Sequence, residues 1–191
     1  AKAALDRAQA LDAENLRLYL LRSSVHRQQK HYDAALEAMD MALSLNEEEA
    51  FLHDLRGRLL LKMGQKERAA ADFRRELELE KTPDDYFTSP FALYFLGQPK
   101  AAAARMDSIM AKGDDEQAYN AACIYALCGN KQQALTYLER ALKSRKYTDF
   151  DHIDTDTDLD GLRNDADFKA LVKQYRDAWE AHLAAERKLL D

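Results

Sequence analysis

Lys30-His31-Tyr32-Asp33-Ala34-Ala35-Leu36-Glu37-Ala38-Met39 and Gly64-Gln65-Lys66-Glu67-Arg68-Ala69-Ala70-Ala71-Asp72-Phe73 are one pattern written twice. It returns from Gly97 to Met106 and from Gly129 to Leu138. Each copy has a turn residue, an alanine five places later, and a large apolar residue four places beyond that. The alanines Ala35, Ala69, Ala102 and Ala134 stand 34, 33 and 32 residues apart, and the turn residues Lys30, Gly64, Gly97 and Gly129 share those spacings. Two markers that drift together define an internal repeat. Composition sets its class. Alanine and leucine supply 60 of the 191 residues, whereas valine, isoleucine and threonine supply 11 and glycine with proline only 9. Strands need β-branched residues and hairpins need Gly or Pro, so a β-rich fold is excluded. Apolar residues make up 47% of the chain, enough for a core and too many for a disordered tail.

The repeating unit reads as helix, tight turn, helix. Glycine at the turn accepts the left-handed backbone that ends a helix. The alanine on the second helix lets the first come close, and Met39, Phe73, Met106 or Leu138 fills the gap on the same face. One such pair cannot bury its apolar stripe alone; stacked pairs can, which makes a solenoid.

These residues resemble the tetratricopeptide repeat family. Its small crossing residue stands here as Ser23, Gly57 and Ala122, and the later bulky residue of the first helix as Leu60, Leu93 and Tyr125. The resemblance runs from about Ala1 to Lys146. Three features depart from it: Tyr19 is the nearest stand-in for the early tryptophan, Glu47 and Lys81 replace the closing proline, and His26 stands where an aromatic is usual. The resemblance implies an all-α chain, a right-handed α-α superhelix of antiparallel helix pairs. Residues 1–147 would form a partial repeat (1–15) and four repeats at 16–49, 50–82, 83–114 and 115–147. In the third, Ser89-Pro90 reads as an N-cap followed by proline at the first helical position, so its first helix is expected to split near Thr88. Residues 148–191 would be an acidic linker and a capping helix on the same solenoid. The helix is expected over about 166–189, because Phe168, Leu171, Val172, Tyr175, Trp179 and Leu183 recur at three- and four-residue steps.

The net charge is −6. That disfavours nucleic acid, which needs a basic footprint, and anionic membrane surfaces. No apolar run is long enough to span a bilayer. Cys123 and Cys128 are five apart in one expected helix and do not face each other, so they read as packing residues and not as a disulfide. The chain starts at Ala1 without Met, which reads as a processed or trimmed start, and the compartment stays open between cytoplasm and periplasm.

The acidic residues are concentrated. Residues 149–167 carry eight aspartates against one base, Arg163, a charge of −7 that leaves the remainder at +1. Within that run, Asp156, Asp158 and Asp160 at the first, third and fifth positions, Gly161 at the sixth and Asp167 at the twelfth follow a calcium-loop spacing. Arg163 and Leu159 stand at positions such loops fill otherwise. The preferred reading is structural: the run resembles the tail after the last repeat in bacterial tetratricopeptide proteins, with aspartates as helix caps and Leu159, Leu162, Phe168 and Leu171 packing.

No phosphate loop, nucleophile elbow or metal-ligand pair is present, and none of the five histidines is paired in sequence. His152 lies among aspartates and reads as a solvated side chain. The expected function is a non-catalytic protein-protein interaction scaffold that needs no cofactor and binds a protein or peptide. First helices line the concave side of such solenoids. The contact candidates there are Arg27, Arg58, Lys62, Phe91, Tyr94, Tyr119, Asn120 and Cys123, basic at one end and aromatic at the other. The Lys/Asn clamp with which some family members hold a terminal carboxylate has no counterpart. Two alternatives remain: a regulatory or targeting segment of a larger enzyme or secretion-linked protein, and a calcium-binding module at Asp156–Asp167.

Overall fold

The computed structural model describes residues 15–80, 89–113, 115–144 and 147–188, and among them there are helices and no strand. The order is α1 (Leu16–Gln28), α2 (Tyr32–Leu45), α3 (Ala50–Lys62), α4 (Lys66–Leu79), α5 (Ser89–Phe95), α6 (Pro99–Ala111), a 3-10 turn (Asp115–Gln117), α7 (Ala118–Leu127), α8 (Lys131–Lys143), α9 (Phe150–Thr155), a 3-10 helix (Thr157–Leu162) and α10 (Ala166–Arg187). They form two compact units, Ala1–Leu96 and Gly97–Asp191. The expected partial repeat over 1–15, apart from Asn15, and the piece before Thr88 lie outside the described residues. α5 begins at Ser89, one residue before Pro90.

Three hairpins turn in the same way. After α1, α3 and α7 the chain passes through a residue with positive φ: Lys30 (60°), Gly64 (74°) and Gly129 (76°). The next amide reaches back five residues, His31 to His26 O, Gln65 to Leu60 O and Asn130 to Tyr125 O, at 2.8–2.9 Å. This bond satisfies a carbonyl that the helix end would leave open, and it aims the chain back along the helix just made. Lys30 adopts the left-handed conformation where the other two turns use glycine.

The repeat markers are the core. Ala35, Ala69, Ala102 and Ala134 are all 0% exposed. Met39, Phe73, Met106 and Leu138 are buried with them. Burying a side chain of this size contributes about 1.5–3 kcal/mol. In the first unit, Leu52 and Leu59 join Ala35, Met39 and Leu43, while Leu60 and Ala92 pack with Ala69 and Phe73. The ring of Phe73 stacks on Phe95 at 5.2 Å.

In the second unit, Tyr125 on α7 stacks on Tyr137 of α8 at 5.3 Å and donates to Asp107 of α6. Residues after Tyr147 pack here too. The 3-10 helix lies on α7 and buries Leu159 and Leu162. α10 lies on α8 with Phe168 and Val172 inward. Lys131 at the start of α8 holds Asp165 (2.6 Å) and Asp167 (2.8 Å) at the start of α10.

Gly57 lets α3 close on α4. A Cβ there would sit 2.7 Å from Cε1 of Phe73, a ring itself buried on every side. Gly57→Ala is therefore expected to destabilise the first unit by about 1–3 kcal/mol, the cost of overpacking a filled core. Faster amide exchange confined to α3 and α4, with α7–α10 unchanged, is the measurement that checks it.

Candidate functional site

In the first unit the candidate surface is built on α3 and α5. Asp54 and Arg58 are one turn apart on α3, and Arg58 Nε donates to both Asp54 oxygens at 2.8 and 3.0 Å. Asp54 is only 2% exposed. Burial raises its carboxyl above the usual range even though Arg58 pulls the other way. The guanidinium thus held lies 4.1 Å from the ring centroid of Phe91 and 5.7 Å from that of Phe95. This is a cation–π geometry, and it fixes a positive group at the surface. Tyr94 stands half-buried beside it, edge-on to Phe95 at 5.4 Å. Lys62, one turn beyond Arg58, is exposed, as is Arg27 near the end of α1.

In the second unit Tyr119 and Cys123 are one turn apart on α7, and both are buried. The Tyr119 hydroxyl donates to Asp156 Oδ2 at 2.8 Å, and the Cys123 thiol stands 3.6 Å from the same oxygen. Tyr147 stacks flat on Tyr119 at 3.9 Å. Burial and the carboxylates of Asp156 and Asp158 push the Cys123 thiol well above its ordinary range. Asn120 is half-buried and donates to Gln117.

The tetratricopeptide repeat profile matches residues 16–49 and 118–147, the stretches that hold α1–α2 and α7–α8. Those two stretches are tetratricopeptide repeats. Over 125 residues it is 34% identical to a chloroplastic protein of Arabidopsis thaliana; the match covers 63% of this chain and 33% of that one. The chain thus spans about a third of the length of that curated relative. The crystal structure of PilW, a widely conserved type IV pilus biogenesis factor, is similar with a TM-score of 0.57 at 22% identity, over 96% of this chain and 83% of that chain. That likeness is one of fold.

All eight expected contact residues fall on the first helices of the helix pairs, and burial divides them. Arg27 and Lys62 are exposed, Arg58, Tyr94 and Asn120 are half-buried, and Phe91, Tyr119 and Cys123 are buried. Phe91 is the bed under Arg58. Tyr119 and Cys123 are covered by Asp156 and, for Tyr119, by Tyr147. These three therefore offer little surface to a partner. Position along a repeat says which face a side chain takes; it does not say what a later segment lays over that face.

The acidic run is spent on helix ends and counter-charges. Asp149 caps α9, Asp156 the 3-10 helix and Asp165 α10, each side chain accepting an amide of the first turn. Asp154 takes Arg176 Nη2 on both oxygens at 2.8 Å. Arg163 turns back to the end of α9 and donates to the carbonyls of Ile153, Asp154 and Asp156, and to Asp160. That guanidinium meets the open carbonyls and the negative end of the helix dipole. The four proposed calcium ligands are not gathered: Asp160 pairs with Arg163 and Asp167 with Lys131. Among the described residues, Asp156 and Asp158 instead lie with Cys123 as the one potential metal-holding group, their ligand atoms within 4.8 Å of one another. Tyr119, Cys123 and the Asp158 amide already donate to Asp156. His152 is exposed, with Nε2 3.4 Å from Asp156.

Cys123 and Cys128 are both free thiols, as their spacing requires. Under a disulfide reagent in the native state, Cys128 is expected to react first, with Cys123 protected until denaturant is added; peptide mass mapping reads the order. Calcium titration is expected to leave the thermal midpoint where it is. A midpoint that climbs with calcium concentration would show a site that binds only the folded chain.

Proposed function

We propose that this protein is a non-catalytic scaffold that holds an acidic, partly apolar peptide segment of a partner protein on the α3–α5 surface of its first unit. The supporting observation is the Arg58 guanidinium, fixed by buried Asp54 and laid on Phe91. A pre-positioned cation over an aromatic bed loses little freedom on meeting a carboxylate, and Tyr94 beside it supplies apolar surface with a polar tip. Lys62 and Arg27 add charge that steers an acidic segment from a distance. Asn120 remains the half-buried contact candidate of the second unit. In that unit the Tyr119–Cys123 face is taken by the chain's own Asp156, so the first unit is the better docking surface. A second reading has these repeats serving as a regulatory or targeting segment within a longer protein. It is supported by the chain spanning about a third of its curated relative.

A labelled peptide alternating Glu with Leu and Phe, and its Lys-for-Glu counterpart, test the proposal by fluorescence anisotropy. The acidic peptide is expected to bind more tightly. Lys62→Glu and Tyr94→Ala, which leave the Asp54–Arg58 pair intact, should each weaken it by about five- to tenfold, or about 1 kcal/mol. Equal binding of both peptides to the native chain and both variants would remove the surface from consideration.

A further inference from the structure

Ligand-bearing side chains converge in the second unit, where the segment after the repeats crosses α7. Cys123 Sγ on α7 and a carboxylate oxygen from each of Asp156 and Asp158, at the start of the 3-10 helix, lie within 4.8 Å of one another. Cys123 is buried at 2% exposure, and the two aspartates are half-buried. A fourth side chain, His152 in the first turn of α9, brings Nε2 to 3.4 Å from Asp156 Oδ2, with half of its surface open to solvent. The set is sulfur, nitrogen and two oxygens. It suits zinc, which takes four such ligands, and not calcium, which takes about six to eight oxygens.

The spacing agrees. With Zn–S about 2.3 Å and Zn–N or Zn–O about 2.0–2.1 Å, neighbouring ligand atoms of a tetrahedral site stand about 3.3–3.6 Å apart. Cys123 Sγ is 3.6 Å and His152 Nε2 3.4 Å from Asp156 Oδ2. Two carboxylates beside a buried thiol also make a pocket of negative charge that a divalent cation relieves. Asp156 is held in place independently of the thiol. The Asp158 amide donates to its Oδ1 at 3.0 Å and the Tyr119 hydroxyl to its Oδ2 at 2.8 Å, and the flat stack of Tyr147 clamps Tyr119. Outer donors of this kind orient the carboxylates of metal sites. They are compatible with a bound ion, because each carboxylate oxygen has two lone pairs.

We propose that Cys123, Asp156, Asp158 and His152 form a zinc site that fastens the segment after the repeats onto α7. As the Zn–S bond forms, the thiol proton of Cys123 passes to solvent, and the exposed His152 ring turns in to bind through Nε2. The ion replaces the hydrogen bond from the thiol to Asp156 and leaves those from Tyr119 and the Asp158 amide in place. The chain fills all four positions around the metal, so the site is structural and holds none open for a substrate.

Cobalt(II), read by absorption, tests the site with its four ligands intact. Cys128→Ser removes the second thiol, so a near-ultraviolet thiolate-to-cobalt band in that variant reports Cys123. This band and the visible bands of tetrahedral cobalt are expected to saturate at one ion per chain, and zinc, the tighter binder, should displace them. Absence of the thiolate band overturns the site and leaves a hydrogen-bonded cluster only. Competition against a chromogenic chelator then measures zinc itself. His152→Gln, at an exposed position, and Asp158→Asn should each weaken zinc by at least about tenfold, the smallest loss expected even for a supporting partner. His182→Gln on α10 should leave the affinity unchanged. Zinc affinity that survives both ligand variants would be adventitious binding elsewhere and would likewise overturn the proposal.

Discussion

Everything in this chain depends on how closely one helix can approach its partner. Where α3 crosses α4, the absence of a single methyl at Gly57 is what admits the Phe73 ring. The four repeat alanines are wholly enclosed, and each leaves room that a larger residue one turn later fills. A side chain larger than alanine at those positions would push the axes apart and open voids, and packed interiors tolerate neither. The turns serve the same end. The five-residue reach-back bond recurs after α1, α3 and α7 and turns the chain back along the helix just made, which lets the small and large residues meet in register.

The acidic run shows how a strongly charged segment is accommodated by an ordered fold. Its aspartates stand at helix starts, where free amides and the helix dipole favour a negative group, and its single arginine stands at a helix end, where free carbonyls favour a positive one. Between them, Ile153, Leu159 and Leu162 are driven inward. The segment is thereby laid along α7, and the face that Tyr119 and Cys123 would otherwise present becomes an internal contact.

α3 carries polar groups on more than one side of its axis. Asp54 and Arg58 pair within the helix and set a cation on the aromatic bed of α5. His53 and Arg56 leave the helix in another direction, to Asp72 of α4, Asp40 of α2 and the Glu47 carbonyl, and tie α2, α4 and the intervening connection together. Both arrangements give a deeply buried carboxyl group, Asp54 or Asp72, donors of fixed geometry, which is the condition for burying a polar group. They also explain why a helix with so little amphipathic contrast is nonetheless well anchored: its polar residues are matched by neighbours in place of water.

What the amino-acid sequence determined alone was the helix-pair repeat, because periodicity, small crossing residues and turn glycines are local signals repeated at a constant interval. It also marked the aspartates as helix caps and the two cysteines as unbonded, both consequences of spacing within one segment. The Asp54–Arg58 pair lay in plain view at four-residue spacing, but nothing local told that Asp54 would be buried. The His53–Asp72–Arg56–Asp40 group was invisible, since its members lie on three helices and meet only when two hairpins stack. The covering of Tyr119 and Cys123 by Asp156 was equally hidden, with 33 residues or more separating the partners. Burial and long-range pairing are properties of the assembled chain, so only the tertiary structure decided which surface residues stay available and which are used up inside.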